Sequence, residues 1–304
     1  MLSLLFQLLL FSKPSFEASL CNNLYNGTTK NFKDIVLGRC FYYINSLHKD
    51  NCEINSANLN CSLIWDEFYR VIVNKSPCQV SIEDFDQFVH LTSHPYSNEK
   101  SVFWSGTYKA VHQISRLKGD WTLEDTLSGY LLDGLSFCSD NKSDNFLTIC
   151  PTDCVTRNNP FWNAVSKNYA SKATGRVTAV LNGTRNSGAL SNYSTFFNYE
   201  LPSMNFKNIN HFQVILLHSP EMSKYETCQM PKTLNTLRNI LQSNNVTYEC
   251  IDDNFYLKNF LCIENQNSPE CQKLFSAFSK TSSVIPFWHA SASIIALTTF
   301  NLLF

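Results

Sequence analysis

Residues 103–138 read FWSGTYKAVHQISRLKGDWTLEDTLSGYLLDGLSFC. Val102-Phe103-Trp104 is a short apolar run that suits a strand end. Further on, Thr122 is suited to cap a helix, with Asp125 three residues later as an approximate capping box. Leu123, Leu127, Tyr130 and Leu131 then fall on the apolar stripe of a helix starting at Thr122. Taken alone, Glu124 and Asp125 are acids in the first turn of that helix, where the helix dipole favours them. The segment closes on Cys138.

Upstream, apolar patterns predict helices over Ile35–Leu47 and from Cys61 toward Val73. Ser81-Ile82-Glu83-Asp84 starts a third helix through Phe85, Phe88 and Val89. Downstream, residues 140–157 form a cysteine-rich loop, and Pro160–Ala173 carries Phe161, Val165 and Tyr169 on one helical stripe. Val177–Leu181 is a β-branched strand ending at the Asn182-Gly183 turn. Phe212–Leu217 is a buried strand, Lys232–Leu241 a helix, and Val246–Cys250 a further strand. Phe255–Cys262 fits either helix or strand. The first part is therefore helical, and the alternation in the second half predicts a small parallel sheet.

The chain has 304 residues, with 25 acidic against 24 basic, so its charge points to neither nucleic acid nor a polybasic membrane surface. Residues 1–11 are almost all apolar and too short to span a bilayer, which predicts a signal peptide over 1–19. From Val284 to Phe304 the chain is mostly apolar without Lys, Arg, Asp or Glu, and small residues precede it from Ser276 to Ser283. That order predicts a glycosylphosphatidylinositol (GPI) attachment propeptide over 280–304, leaving a domain at 20–279. Twelve cysteines in an exported chain are disulfide-formers. Seven Asn-x-Ser/Thr sequons, at Asn26, Asn60, Asn74, Asn141, Asn182, Asn192 and Asn245, fit a glycosylated surface protein. Asn60 adjoins Cys61 and Asn74 lies near Pro77, which leaves the other five as the expected glycan sites.

Several of these stretches together resemble the ADP-ribosyl cyclase / NAD glycohydrolase family. They are Phe103–Tyr108, Thr122–Leu127, Gly129-Tyr130, Phe161-Trp162, Leu181–Thr184, Ser194–Phe196 and Glu200, with most of the cysteines. The resemblance runs from about Leu37 to Cys271. It implies an α+β, disulfide-rich fold, with a helical lobe at about 22–97 and 122–172. The α/β lobe would take 98–121 and 173–279, with a small mainly parallel sheet and the active site in the cleft between the lobes. It also implies the pairs Cys40–Cys61, Cys78–Cys154, Cys138–Cys150, Cys228–Cys250 and Cys262–Cys271. Cys21 and Cys52 remain, and pair as an extra bridge.

The family cleaves the nicotinamide–ribose bond of NAD. Nicotinamide is a cation in NAD and leaves neutral, so one carboxylate suffices, to stabilise or trap the ribosyl centre. By resemblance that residue is Glu200, which without the family reads as an ordinary surface acid close to a proline. Trp104 and Trp162 match the tryptophans flanking the reacting ribose and nicotinamide, where an indole face suits a pyridinium. Each alone reads as core packing. Glu124 matches the acid facing nicotinamide, and Asp133 a further acid there. Residues nine apart lie on opposite faces of a straight helix, so both reach one site only if the helix ends or bends, for instance near Gly129. Ser105, Ser166, Ser194, Thr195 and Phe196 match positions holding the diphosphate and ribose. Gly106 stands where some relatives carry a phosphate-binding Arg, which implies a weaker grip there.

Thr195 resembles the hydrolytic members rather than a strongly cyclising one, which implies mainly hydrolysis with minor cyclisation. NAD is then substrate, no cofactor or metal is expected, and no dinucleotide-binding glycine fingerprint occurs. The other expected partner is the outer leaflet of the plasma membrane through the GPI anchor, on its extracellular face; a homodimer is left open. The alternative is a cell-surface receptor or adhesion module with a weak or dead site on the same scaffold.

Overall fold

The structure is a computed structural model and describes residues 27–48, 54, 59–73, 75, 79–94, 98–138, 146 and 159–282. In chain order the helices are α1 Phe32–Tyr42, α2 Cys61–Val73, α3 Asp86–Leu91, α4 Tyr108–Lys118, α5 Leu127–Leu132, α6 Asn159–Ser171, α7 Leu234–Ser243, α8 Phe255–Glu264 and α9 Pro269–Ser282. The strands are β1 Val102–Ser105, β2 Gly175–Asn182, β3 Ile209–Leu217 and β4 Thr247–Asp252. Two compact units divide the described residues. One holds those within Met1–Tyr96 and Leu123–Asn168, the other those within Ser97–Thr122 and Tyr169–Phe304.

The first unit is helical and built on aromatic side chains. α2 starts cleanly because the Asn60 side chain accepts from Leu63 N at 3.1 Å. Its Ile64, Trp65, Phe68, Val71 and Ile72 are buried. Phe68 sits at the centre, edge-on to Phe88, Phe137 and Phe161 at centroid distances of 5.8, 5.0 and 5.9 Å. Edge-to-face rings add about 0.5–1.5 kcal/mol per pair beyond their burial. The Cys40–Cys61 disulfide staples α1 to the start of α2. α1 continues as a π-helical turn over Tyr43–Leu47.

In the second unit four parallel strands lie in the order β1-β2-β3-β4. β2 and β3 are apolar on both faces, through Val177, Ala179, Val180 and Leu181 and through Phe212, Val214, Ile215, Leu216 and Leu217. β4 is only partly buried along its length. One core cluster joins Val102, Val180, Ile215 and Leu217 to Ala110 and Val111 of α4 and Leu257 of α8, with Trp104 packed against it. Helix α7 buries Leu234, Leu237 and Leu241 and packs on β4. Cys228–Cys250 ties the loop before α7 to β4, and Cys262–Cys271 joins α8 to α9. Each bridge contributes about 3 kcal/mol.

Two segments that the sequence reading left without an assigned element are helices. Phe255–Glu264, open between helix and strand, is helical because Asn254 caps it, accepting from Tyr256 N at 3.1 Å. Tyr108–Lys118, given no helix, is α4; it begins where Thr107 leaves the extended path of β1. Cys138 is disulfide-bonded, and its expected partner Cys150 lies outside the described residues. So do both cysteines of the expected Cys78–Cys154 and Cys21–Cys52 pairs, the signal peptide, Asn26, Asn141 and residues 283–304. No helix of the described residues is long and apolar enough to cross a membrane.

Candidate active site

The expected residues divide between the two units. Glu124, Asp133, Trp162 and Ser166 lie in the first, and Trp104, Ser105, Ser194, Thr195, Phe196 and Glu200 in the second.

In the first unit the helix expected from Thr122 is broken. Leu123–Asp125 forms a 3-10 turn, and α5 begins only at Leu127. Thr126 makes the break: its backbone is extended, its hydroxyl donates to Leu123 O at 2.6 Å and accepts from Gly129 N at 3.5 Å. The hydroxyl holds both sides of the corner and replaces Thr122 as the cap. Gly129 makes the corner tight, because a Cβ there would collide with the backbone of Leu123 and Glu124. Tyr43 donates to Asp125 O at 2.9 Å, and Leu127 N donates to His94 Nε2 at 3.1 Å. Glu124 is consequently buried, not a solvated helix acid.

The break also removes the difficulty of the nine-residue spacing. Glu124 belongs to the turn before α5 and Asp133 caps its other end, so no straight helix relates them. Arg39 Nη1 donates to the carbonyls of Tyr130, Leu131 and Asp133 at 3.2, 3.2 and 2.7 Å, placing a cation at the negative end of α5. On α6, Trp162 is half-buried and meets Phe161 edge-on at 5.1 Å. Ser166 follows one turn later and is buried.

In the second unit Trp104 and Ser105 end β1, in register with Val180 and Leu181 of β2. Beyond them Gly106 takes a left-handed φ of 72°. Thr107 donates to Val180 O at 2.7 Å, pinning the loop to β2. Trp104 meets Tyr108 edge-on at 5.3 Å and His112 at 6.3 Å. The loops past the strands border an open cavity of about 290 Å³ whose lining includes Gly106, Lys109, Asn182 and Ser219. The carboxyl ends of parallel strands are where open α/β sheets bind ligands.

Glu200 ends a π-helical turn over Phe196–Glu200. Such turns recur at functional sites. Ser194 starts the turn: its hydroxyl donates to Ser191 O at 2.7 Å and accepts from Phe197 N at 3.1 Å. Phe196 is buried and lies 6.0 Å from Phe103, so the turn rests against β1. Glu200 is 7% exposed, against the reading of a surface acid. Thr195 is half-buried.

The loop from Gly183 to Leu190 is held by Glu226. Its buried carboxylate accepts from Ala189 N, Lys232 N, Leu234 N and Thr233 Oγ1 at 2.8, 2.6, 2.8 and 2.7 Å. Burial alone would raise its pKa, but these hydrogen bonds outweigh burial and hold it below the ordinary 4.5. This loop carries Arg185, which the sequence reading passed over. Asn192 and Asn245 are exposed, while the Asn182 side chain accepts from Thr184 N at 2.9 Å. Among the described residues no group of three or more His, Cys, Asp or Glu is placed to hold a metal ion.

Comparisons with known proteins agree with one another. The family model described as ADP-ribosyl cyclase matches residues 29–271. Mouse ADP-ribosyl cyclase/cyclic ADP-ribose hydrolase 1 is 34% identical over 254 residues, which span 81% of this chain and 80% of that protein. Human ADP-ribosyl cyclase/cyclic ADP-ribose hydrolase 2 is 30% identical over 266 residues, 86% of this chain and 81% of that protein. Aplysia cyclase, solved with substrate NGD and product cGDPR, has a TM-score of 0.72 at 28% identity, covering 81% of this chain and 98% of that one. Porcine CD38, solved with a covalent intermediate, has a TM-score of 0.66 at 31% identity, covering 75% and 97%.

Proposed function

The chain belongs to the ADP-ribosyl cyclase family, and we propose that it is an extracellular NAD glycohydrolase with minor cyclase activity. The observation that carries this reading is the burial of Glu200 on a π-turn resting against β1, the strand that ends in Trp104-Ser105. A carboxylate withdrawn from water is a stronger electrostatic partner for a developing cation.

The bond from ribose C1′ to the pyridinium nitrogen breaks, and its electron pair stays with nicotinamide, which leaves neutral without a general acid. Glu200 stabilises the cationic ribosyl centre or bonds to it. Water then adds at C1′ and loses a proton, giving ADP-ribose. The covalent intermediate in the porcine CD38 structure supports a ribosyl intermediate of this kind. Trp104 and Trp162 offer indole faces to the pyridinium and ribose. Glu124 and Asp133 act at the nicotinamide end. Ser105, Ser166, Thr195 and Phe196 hold ribose and diphosphate, and Ser194 acts there by starting the Glu200 turn. The small Thr195 leaves room for water, which favours hydrolysis over attack by adenine.

The three described disulfides support folding in an oxidising compartment. In this reading a GPI anchor holds the enzyme at the outer face of the plasma membrane. Product analysis with NAD on the secreted ectodomain, beside Glu200→Gln, tests the proposal. Nicotinamide and ADP-ribose from the parent, lost by at least a thousandfold in the variant, are expected, on the scale of about 4 kcal/mol for removing a key charge. Cyclic ADP-ribose as the main product would overturn the hydrolytic assignment.

A further inference from the structure

Arg185 lies on the loop after β2, eighty residues from Ser105, yet its Nη1 donates to Ser105 Oγ at 3.0 Å. Its guanidinium fills the space beside Gly106, where any Cβ would collide with it. No carboxylate among the described residues pairs with it. A half-buried guanidinium therefore stands at the carboxyl edge of a parallel sheet, with most of its five donors unspent.

We propose that Arg185, seated over Gly106 and bonded to Ser105, is an anion-binding residue that takes the diphosphate of the dinucleotide substrate. The assignment rests on the NAD reading above and stands against the weaker grip that Gly106 implied. Arg185 supplies from a neighbouring loop the cation that position 106 lacks. Ser105 accepts from Arg185, which leaves its own hydroxyl proton to donate to a phosphate oxygen. Helix α4 begins two residues after Gly106, and its Thr107 cap bonds Val180 O rather than its own first turn. Its positive end is thus also presented beside Gly106.

The guanidinium is held for this before a ligand arrives. Gly183 N donates to Leu217 O at 2.8 Å, and Gly183 O accepts from Tyr225 N and Glu226 N at 3.0 Å each. Past Arg185, Gly188 takes a φ of 87° and a Cβ there would strike Thr233, and Ala189 N is fixed by Glu226. A planar fork on a fixed loop favours bidentate contact with phosphate oxygens.

The test is Arg185→Gln and Arg185→Lys in the secreted ectodomain, assayed with NAD and with nicotinamide riboside, which has no phosphate. Binding of ADP-ribose is measured by calorimetry alongside. For Arg185→Gln the KM for NAD and the Kd for ADP-ribose should rise by about 10–100-fold, the worth of a charge-assisted hydrogen bond. Its kcat should stay within about threefold, and kcat/KM for nicotinamide riboside within about twofold. Arg185→Lys should fall between, keeping the charge and losing the fork. An Arg185→Gln enzyme with unchanged KM and ADP-ribose Kd would overturn the proposal and leave the enzyme standing. Equal losses on both substrates would mark Arg185 as a structural part and also overturn it. A parent protein that neither cleaves NAD nor binds ADP-ribose removes the reading beneath and takes the proposal with it.

Discussion

His218 Nδ1 lies 3.0 Å from Asp253 Oδ1. On its other side Nε2 lies 2.8 Å from the carbonyl of Glu226, so both ring nitrogens face acceptors and both must carry protons. The imidazole is only 1% exposed. Burial lowers its pKa, but the bonds to Asp253 and the Glu226 carbonyl outweigh burial and lift it above 6.5. Asp253 also meets Lys224 at 2.5 Å and Lys258 at 3.5 Å. Burial raises its pKa, and its bonds to His218 and Lys224 drive it far below 3.8.

The signs follow from linkage. The His218 contribution is complete below its unfolded pKa of about 6.5 and is lost as pH rises through the higher folded value. The Asp253 contribution is complete above about 3.9 and is lost as pH falls toward its depressed folded value. Asp253→Asn should cost about 3 kcal/mol near pH 6, because a buried cation loses its partner. Urea melts from pH 5 to 9 should show the variant with a flattened profile between pH 6.5 and 9. A variant whose midpoint tracks the parent at every pH would show that the pair is not coupled to folding.

Glu226 should be the costliest carboxylate on the loop to alter. A glutamine amide accepts only on its oxygen and turns a second donor toward amide N–H groups. Glu226→Gln should lose about 3 kcal/mol at pH 7, two charge-assisted bonds at the lower end of their range. Because its folded pKa is depressed, the loss should shrink as pH falls below 4.5. Chemical denaturation at pH 7 and pH 4 checks both parts.

Gly129 has no side chain to collide with the Leu123–Asp125 turn, and that absence admits the turn. Gly129→Ala would gain about 1 kcal/mol in helix propensity, yet should destabilise by about 1–3 kcal/mol through overpacking. The Glu124 turn must then shift, so the ratio of cyclic to linear product should change more than the KM for NAD. Stability equal to or above the parent's would refute the collision.

The elements visible in the sequence are those whose burial is periodic. Helix α2 shows its buried stripe from Ile64 to Ile72, and β3 shows Phe212 followed by the apolar run Val214–Leu217. Helix α4 was passed over because its described buried residues, Ala110, Val111 and Ser115, include only two apolar side chains, and these are adjacent rather than spaced at four. The α5 boundary was misplaced because Thr122 and Thr126 offer the same hydroxyl, and only the fold-back permitted by Gly129 selects the second. At the site, neither the burial of Glu200 nor its π-turn has a local signature. Arg185 is further out of reach. Its partner lies on another strand, and no local pattern relates positions 105 and 185.

Neither unit is a continuous stretch of chain. On the ribosome β1, from Val102, emerges long before β2, from Gly175, its one sheet neighbour among the described residues. The residues before 96 likewise wait for Leu123–Asn168. Cys40–Cys61 spans 21 residues and can close early, whereas the sheet cannot begin until more than half the chain has been made. No single cut releases either half as a foldable fragment. Truncated products would present a lone apolar strand to chaperones, making synthesis the vulnerable stage of this protein's life.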